Sequence, residues 1–181
     1  MALKSILVTL NGQQYTAVLN ESTGKYEATI TAPEKSSYNQ DGHFYDVSVT
    51  ATDDAGNSTS VNSTDDTLGE ALQLRVKELV APVITITSPT SDQITTNNTP
   101  TITFTVTDDD SGVNADTITV YIDGTAYTTG ITKTEITGGY ECSYTVPEAL
   151  GDGVHSVFIE ATDNDENKGT LLHSWLFMFG F

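Results

Sequence analysis

Apolar and polar residues alternate with a period of two in short blocks along most of the chain. In one block, Tyr140, Cys142 and Tyr144 fall on one side of an extended chain, and Glu141 and Ser143 fall on the other. This alternation is typical of a β-strand with one buried face, and turn-forming residues separate the blocks. No long segment repeats its apolar residues at the helical spacing. The pattern therefore predicts an all-β protein built from short antiparallel strands.

Two dipeptides predict tight hairpins between such strands. Asn11-Gly12 and Asp123-Gly124 each lie between two alternating blocks. Both central residues of this two-residue turn need a positive φ, which Asn, Asp and Gly tolerate. The two predicted hairpins also occupy corresponding places in a longer repeat.

Four blocks of the first half recur in the second half in the same order. They are Val8–Gly12, Gly24–Ile30, Pro33–Glu34 and Val47–Asp53, followed by Val120–Gly124, Gly139–Tyr144, Pro147–Glu148 and Val157–Asp163. Gly124 follows Gly12 by 112 residues, and Asp163 follows Asp53 by 110. Self-similarity at a nearly fixed spacing indicates a repeated structural unit. We therefore predict two tandem antiparallel β-sandwich domains, residues 1–80 and 81–181, with the boundary near Glu78 to Pro82.

The first domain starts later in this pattern than the second. Residues 81 to 116 have no counterpart in the first half, so the first domain lacks the first two strands of its sandwich. It also carries a longer segment, Ser58 to Gly69, before a last strand predicted at Leu72 to Val76. Either its own chain rearranges to cover the open sheet, or another protein covers it. An uncovered sheet edge is a template for strand addition.

Several of these blocks resemble the bacterial immunoglobulin-like (Ig-like) domain family, which is weakly similar to cadherin repeats. The resemblance rests on Ala81–Pro89, on the Ala-Thr-Asp ends of two strands and on Ala51–Asn57. It implies two tandem Ig-like sandwiches, the first incomplete. It also implies a structural or adhesive module, because family members occur in bacteriophage virion proteins and bacterial surface proteins.

Two acidic loops of the second domain offer candidate calcium ligands. Asp108 and Asp110 lie in the loop Asp108–Asn114, and Asp163 and Asp165 lie in the loop Asp163–Asn167. In an Ig-like topology both loops lie at the same end of the sandwich, and converging carboxylates suit Ca²⁺. The first loop resembles a cadherin calcium turn, but the linker Lys77–Pro82 adds only Glu78. The alternative is a pair of Asx-turns without metal, so no cofactor is predicted beyond this calcium hypothesis.

The charge balance excludes one large class of partners. The chain has 25 Asp and Glu against 7 Lys and Arg, a formal net charge of -18. Nucleic acids and anionic membranes are bound through Lys and Arg, so neither is a predicted partner. Residues 1–80 have 11 acidic and 5 basic side chains, and residues 81–181 have 14 and 2. The second domain therefore carries two thirds of the net charge.

No combination of residues predicts catalysis. His43, His155 and His173 are the only histidines, and the repeat aligns His155 with Tyr45, a strand position. Cys142 aligns with Ala28, which predicts a small core residue and not a nucleophile. We therefore predict that the chain is not an enzyme.

The two ends of the chain bear on its location. The N-terminal residues lack the pattern of a secretion signal, and the apolar run Leu171 to Phe181 is too short to span a membrane. The final strand is apolar on both faces, which predicts burial on both sides and hence an assembly contact. Its faces are Leu171, His173, Trp175, Phe177 and Phe179 on one side, and Leu172, Leu176 and Met178 on the other.

Together these features predict a non-enzymatic structural module, made in a host cytoplasm and built into a bacteriophage virion. Its expected partners are further copies of itself or other virion subunits, reached through the open sheet edge and the apolar final strand. The alternative is a carbohydrate- or cell-surface-binding module of a bacterial surface adhesin, with a host glycan as partner. Its candidate stacking residues are Tyr38, Phe44, Tyr121 and Tyr127.

Overall fold

The computed structural model describes residues 3–91 and 93–178, and it divides into two compact units. Unit 1 is Met1–Glu78 and unit 2 is Leu79–Phe181. No α-helix occurs in the described residues, which confirms the all-β class. No helix among them is long and apolar enough to cross a bilayer. The assignment of 1–80 and 81–181 as separately folding domains stays a prediction.

The described residues of unit 1 form six strands and three single-turn 3-10 helices. The strands are β1 (Leu3–Leu10), β2 (Gln13–Asn20), β3 (Lys25–Glu27), β4 (Tyr45–Asp53), β5 (Ser58–Val61) and β6 (Gln73–Leu74). The 3-10 turns are Ser37–Asn39, Asp41–His43 and Gly69–Leu72. All six strands belong to one antiparallel sheet in the order β3-β2-β1-β4-β5, with β6 also pairing with β4.

The first predicted hairpin joins β1 to β2. Asn11 and Gly12 have φ of 48° and 76°, and Leu10 pairs with Gln13 directly across the turn. This geometry is the two-residue turn with two positive φ angles that the dipeptide predicted. The second hairpin is its counterpart in unit 2, where Asp123 and Gly124 have φ of 46° and 84°.

The end of unit 1 differs from the sequence prediction in two ways. Ser58–Val61, predicted as part of an insertion, forms β5 and pairs with β4. The last strand, predicted at Leu72 to Val76, is a strand only at Gln73–Leu74, where Leu74 pairs with Tyr45. One edge of β4 is therefore covered by an interrupted strand, with residues 62–72 looping out between its two parts.

In the part of unit 2 that the structure describes, nine strands form two sheets. They are β7 (Val83–Ser88), β8 (Ile94–Thr95), β9 (Thr101–Thr107), β10 (Val113–Ile122), β11 (Thr125–Tyr127), β12 (Thr132–Ile136), β13 (Gly139–Thr145), β14 (Gly153–Asp163) and β15 (Lys168–Phe177). One sheet has the order β11-β10-β14-β15-β8, and the other has β12-β13-β9-β7. β8 pairs with β15 in parallel; the other pairs in this unit are antiparallel.

The two sheets of unit 2 enclose a continuous hydrophobic core. Phe104 of β9, Val120 of β10 and Ile159 of β14 are fully buried, and Trp175 of β15 is 1 % exposed. Period-two alternation places every second side chain of each strand in this core. Gly169 of β15 allows close packing at one end, since a Cβ there would lie 2.1 Å from the Pro82 carbonyl oxygen.

The repeated blocks have different neighbours in the two units. In unit 2 the block Gly139–Tyr144 lies in β13, which pairs with β9 and β12 in the facing sheet. In unit 1 only β3 of the corresponding block is a strand, and it pairs with the edge of β2. Among the described residues of unit 1 there is no counterpart of β9 for this block to join, and its strands lie in one sheet.

Candidate functional site

One face of the unit 1 sheet is almost entirely apolar. Residues that pair across antiparallel strands point to the same side of a sheet. The pairs Ile6–Ala17, Val8–Val49 and Leu10–Val47 therefore place these side chains together. We call this the apolar face of unit 1: Ile6, Val8, Leu10, Tyr15, Ala17, Leu19, Tyr26, Tyr45, Val47, Val49, Ala51, Val61 and Leu74. None of these side chains carries a charge.

Only one part of the apolar face is well buried by unit 1 itself. Residues 31–36 lie over Leu10 and Tyr45: the Tyr45 hydroxyl donates to the Lys35 carbonyl at 3.1 Å, and Leu10 lines a recess with Thr31–Pro33. Leu10 and Tyr45 are accordingly buried, as is Ala17. The other members are half-buried or, like Leu19 and Tyr26, exposed. The incomplete core of unit 1 is therefore concentrated on this face.

The edge of the same sheet is only partly paired. β3 pairs with Val18, Leu19 and Asn20 of β2, and the described residues place no strand beside Gln13–Ala17 on that side. A sheet edge of this kind presents backbone N–H and C=O groups to an incoming strand. The open edge and the apolar face adjoin at β2.

The two acidic loops of unit 2 meet at one end of its sandwich, as predicted. The Asn164 side-chain amide donates to the carbonyls of Ser111 and Gly112 at 3.0 and 3.1 Å. Asp108 and Asp163 are both buried, and one carboxylate oxygen of each lies within 4.8 Å of the other. Asp165 is also buried, whereas Asp110 is half-buried.

Both buried carboxylates accept hydrogen bonds from their own loops. Asp108 accepts from the backbone N–H of Gly112 at 2.7 Å. Asp163 accepts from the backbone and side-chain amides of Asn167, each at 2.8 Å. These are Asx-turn contacts, which stabilise a loop without metal. Calcium binding by Asp108, Asp110, Asp163 and Asp165 stays an untested hypothesis.

The same turn recurs in unit 1. Asp53 accepts from the backbone N–H and the side-chain amide of Asn57, each at 2.9 Å. The bond to the Asn57 side chain is the main reason that the pKa of Asp53 lies below its ordinary value. Because Asp53 and Asp163 occupy equivalent places, the turn itself is a repeated structural element.

His155, Ser156 and Asp123 lie together in unit 2, but their bonds do not form a catalytic triad. His155 Nδ1 lies 2.7 Å from Asp123 Oδ2, and its Nε2 lies 2.8 Å from the Gly151 carbonyl oxygen. The Ser156 hydroxyl donates to Asp123 and not to the imidazole. A serine nucleophile needs its proton removed by the imidazole, which this arrangement does not provide. Burial lowers the pKa of His155, but the bonds to Asp123 and Gly151 outweigh it, so the pKa is raised overall.

The other groups considered for catalysis have structural contacts. His173 Nε2 lies 2.8 Å from the Pro89 carbonyl oxygen, and the His43 ring stacks on Tyr38 with centroids 4.2 Å apart. Cys142 is 1 % exposed, and burial raises the pKa of its thiol to about 11. The prediction that Cys142 is a core residue is confirmed.

The final strand, β15, is buried on one face only. Trp175 and Phe177 point into the core of unit 2, where Phe177 is fully buried. On the opposite face Leu172 is 70 % exposed. The outer face of β15 is not covered by unit 2 itself, because a two-layer sandwich covers only the inner face of each sheet. The predicted assembly contact through this strand stays a prediction. Phe179 lies outside the described residues.

The four candidate stacking residues do not lie on one surface. Tyr121 and Tyr127 project from opposite faces of their sheet, since Tyr121 pairs with Phe158 and Tyr127 pairs with core residue Val120. Tyr38 stacks on His43 in unit 1. Phe44 is half-buried and lines a polar recess of about 520 Å³.

A family comparison agrees with this topology and with the sequence resemblance. Residues 82–159 match the model of a bacterial Ig domain. This part of unit 2 is therefore similar to a bacterial Ig domain. The matched range begins just before β7 and ends within β14, so it includes the facing sheet and most of the sheet that packs on it.

Solved structures with related folds are distant in sequence. A dimeric latent PorU from Porphyromonas gingivalis has 17 % identity and a TM-score of 0.47, covering 99 % of this chain and 20 % of that one. Extracellular cadherin domains 3–6 of protocadherin gamma B2 have 14 % identity and a TM-score of 0.41, covering 95 % and 39 %. Murine CEACAM1b has 12 % identity and a TM-score of 0.42, covering 98 % and 87 %. The chain thus spans a fifth and about two fifths of the first two proteins. Among curated proteins, no sequence matches this chain.

Sequence reasoning missed one apolar surface of unit 2. Val154 is 72 % exposed and Ile94 is 63 % exposed, and both lie beside the outer face of β15. Val154 and Phe158 alternate along β14 with the core residues Val157 and Ile159. The sequence pattern could therefore have placed both side chains on the outer face. Ile94 gave no such signal, because its pairing with β15 spans 82 residues of chain.

Proposed function

We propose that this chain is a non-enzymatic structural module of a larger protein assembly, to which unit 1 contributes an incomplete Ig-like sheet. The observation that carries the proposal is the apolar face of unit 1, where Val8, Val47 and Val49 are only half-buried. Removing apolar surface of this kind from water is favourable in free energy. A partner strand that pairs with the open edge of β2 would cover it and satisfy the free backbone groups together.

The proposed setting is a bacteriophage virion, as a decoration, tail or fibre-associated subunit. Cys142 is the only cysteine, so both units fold without an internal disulfide. Folding without disulfides suits assembly in a reducing cytoplasm. The strong negative charge argues against nucleic acid as the binding partner and leaves protein subunits as the proposed partners.

A strand supplied in trans tests this proposal. In unit 2, β9 covers the core with Ile102, Phe104 and Val106. A synthetic peptide with the sequence of residues 99–109, added to the full chain, is expected to slow hydrogen exchange at the backbone amides of β2 between Gln13 and Ala17, because the added strand would pair with that open edge. A peptide of the same composition with scrambled order, which lacks the period-two alternation, is the matched control. Unchanged exchange at millimolar peptide would contradict strand addition.

The identity of the neighbouring genes tests whether the chain belongs to a virion. We expect capsid or tail genes on either side. A neighbouring sortase or secretion gene would instead place the chain on a bacterial surface, which is the alternative setting.

One observation favours a second candidate function, the binding of a cell-surface glycan. The Phe44 ring borders the polar recess together with Asn11, Gln40 and Asp46. An aromatic ring beside amide and carboxylate groups is suited to stack on a sugar and bond to its hydroxyls. The test is binding of the chain to a glycan array. Loss of binding in Phe44→Ala, with binding unchanged in the control Tyr127→Ala, would establish glycan binding in place of the assembly role.

A further inference from the structure

The outer face of the β14–β15–β8 sheet carries an apolar patch that the core of unit 2 does not use. Its members are Ile94, Val154, Phe158, Leu172 and Leu176, which we call the outer patch. Ile94, Val154 and Leu172 are 63 %, 72 % and 70 % exposed, and the other two are half-buried. The outward face of a sandwich sheet is normally polar, so a contiguous apolar group there indicates a contact surface.

The strand register makes the patch continuous. Leu176 pairs with Val154 on one side and with Ile94 on the other, which forms one row across three strands. Leu172 pairs with Phe158 in a second row, and the ring of Tyr121 extends it at 5.4 Å from the Phe158 ring. Between the two rows lies the pair Ser156–Ser174. These small side chains leave the two apolar rows as the most prominent part of the face.

The patch is electrically neutral although the chain is strongly acidic. Glu160 and Lys168 are the charged side chains that face outward on β14 and β15, and they pair with each other at 2.6 Å. A basic partner drawn to this chain would meet the acidic loops at the end of unit 2 and not this face. A second copy, in contrast, presents the same neutral apolar rows.

We infer that the outer patch is the interface between two copies of this chain. A two-fold axis along the Ser156–Ser174 row sets each apolar row against the other row of the second copy, as an isologous interface requires. The inference deepens the assembly role proposed above and rests on it, because it assigns the partner of the apolar final strand.

The size of the face fits a dimer of modest affinity. Strands about 4.8 Å apart and residues about 3.4 Å apart give the patch roughly 350 Å², or about 600 Å² with a polar rim one residue wide. Two copies then bury about 1,200 Å², the lower end of the range for specific interfaces. Added salt screens the repulsion between two acidic chains and leaves apolar contact intact, so the dimer tightens as salt rises.

Sedimentation of the full chain over a range of concentrations tests the inference. We expect a monomer–dimer equilibrium whose dissociation constant falls between 50 mM and 500 mM NaCl. The double variant Val154→Thr, Leu172→Thr is expected to raise that constant on the order of 100-fold, because four exposed apolar side chains leave each interface. Threonine keeps the strand propensity, and equal melting temperatures would show that the fold is unchanged.

Val83→Thr is the matched control, since Val83 is also exposed but lies on β7 of the opposite sheet. It should dimerise like the unchanged chain. A chain that stays monomeric at all concentrations, or a double variant that still dimerises, would overturn the inference. Neither result affects the peptide experiment on unit 1, so a failure of this interface and a failure of the proposed function are distinguishable.

Discussion

Units 1 and 2 contain the same strand blocks with very different degrees of burial. Val157 on β14 is fully buried, whereas Val47, at the equivalent place on β4, is half-buried. Val120 on β10 and Val8 on β1 differ in the same way. The side chains are identical and point to the same side of equivalent strands, so the sequence of these strands does not account for the difference.

The difference arises from the facing sheet. In unit 2 the strands β7, β9 and β13 pack across the core, and in unit 1 the described residues supply only the segment 31–36 over one end of the face. Full burial of a valine or leucine side chain stabilises by about 1.5–3 kcal/mol. Unit 1 therefore lacks this burial free energy at several positions. A partner that covers the apolar face would supply it.

Paired valine substitutions should give the largest effect. Val157→Ala is expected to lower the free energy of unfolding by about 2–3 kcal/mol, because it leaves a cavity in a closed core. Val47→Ala should cost less than about 1 kcal/mol, since its neighbourhood is already open to water. The measurement is denaturant unfolding, with Trp175 fluorescence for unit 2 and hydrogen exchange at β4 for unit 1.

Val120→Ala and Val8→Ala form an independent pair for the same comparison. They should differ in the same direction. Equal costs within both pairs would show that the unit 1 sheet is covered in solution, and the comparison between the units would fail.

Cysteine labelling should compare the enclosure of the two units at a further pair of equivalent positions, residues 28 and 142. Cys142 is buried, and its pKa near 11 lowers the thiolate fraction on the order of 100-fold relative to an ordinary thiol. Ala28, its counterpart, is only half-buried. The variant Ala28→Cys in a Cys142→Ala chain should therefore react with a thiol reagent at least about 100-fold faster than the native chain. Similar rates would mean that residue 28 is as enclosed as residue 142.

The pH dependence of stability should differ between the units by a smaller amount. The pKa of His155 is raised, so its contribution is present below the unfolded value of about 6.5 and is lost as pH rises through the folded value. Burial raises the pKa of Asp123, but its bonds with Ser156 and His155 lower it overall, so its contribution is lost as pH falls. The pair therefore stabilises unit 2 most between about pH 4 and 6.5.

His155→Gln is the test of this pair. The melting temperature of unit 2 should fall by roughly 2–4 °C from pH 6 to pH 8 in the native chain, and this fall should disappear in the variant. Asp123 is 45 % exposed, which keeps the effect small. Unit 1 has Tyr45, and not a histidine, at the equivalent place, so unit 1 serves as the internal control.

Calcium should have the smallest effect. We expect no heat when Ca²⁺ is added to chelator-treated protein, because Asn167 already satisfies the Asp163 carboxylate as Asn57 satisfies Asp53. This expectation would be contradicted if the native chain released or absorbed heat on Ca²⁺ addition, and if Asp163→Asn removed that heat while Asp53→Asn kept it. That result would then assign the calcium site to the acidic loops of unit 2 alone.

Local features of the fold followed from local sequence. The Asn11-Gly12 and Asp123-Gly124 hairpins formed as predicted because their φ angles depend on residues next to one another. Alternation placed Cys142 in a core because a strand has a fixed period of two. The repeated blocks also predicted that unit 1 lacks the first two strands of its sandwich.

Features that depend on distant pairing did not follow from the sequence. The interruption of the last strand of unit 1 depends on how residues 62–72 pack, with Gly69 so close that a Cβ there would lie 2.5 Å from the Ser63 carbonyl oxygen. The pairing of β3 with β2 depends on the absence of a β9 counterpart in unit 1. The outer patch depends on β8 joining β15, which brings Ile94 beside Leu176.

The sequence by itself determined most of the strands, the two tight hairpins and which side of each predicted strand is apolar, because these follow from short-range periodicity and turn geometry. Tertiary structure alone decided which apolar sides are covered. Coverage depends on a second sheet at the right distance, and that sheet comes from residues far away in the chain or from another chain. Val47 and Val157 have equivalent positions and identical side chains, and they differ in burial for this reason.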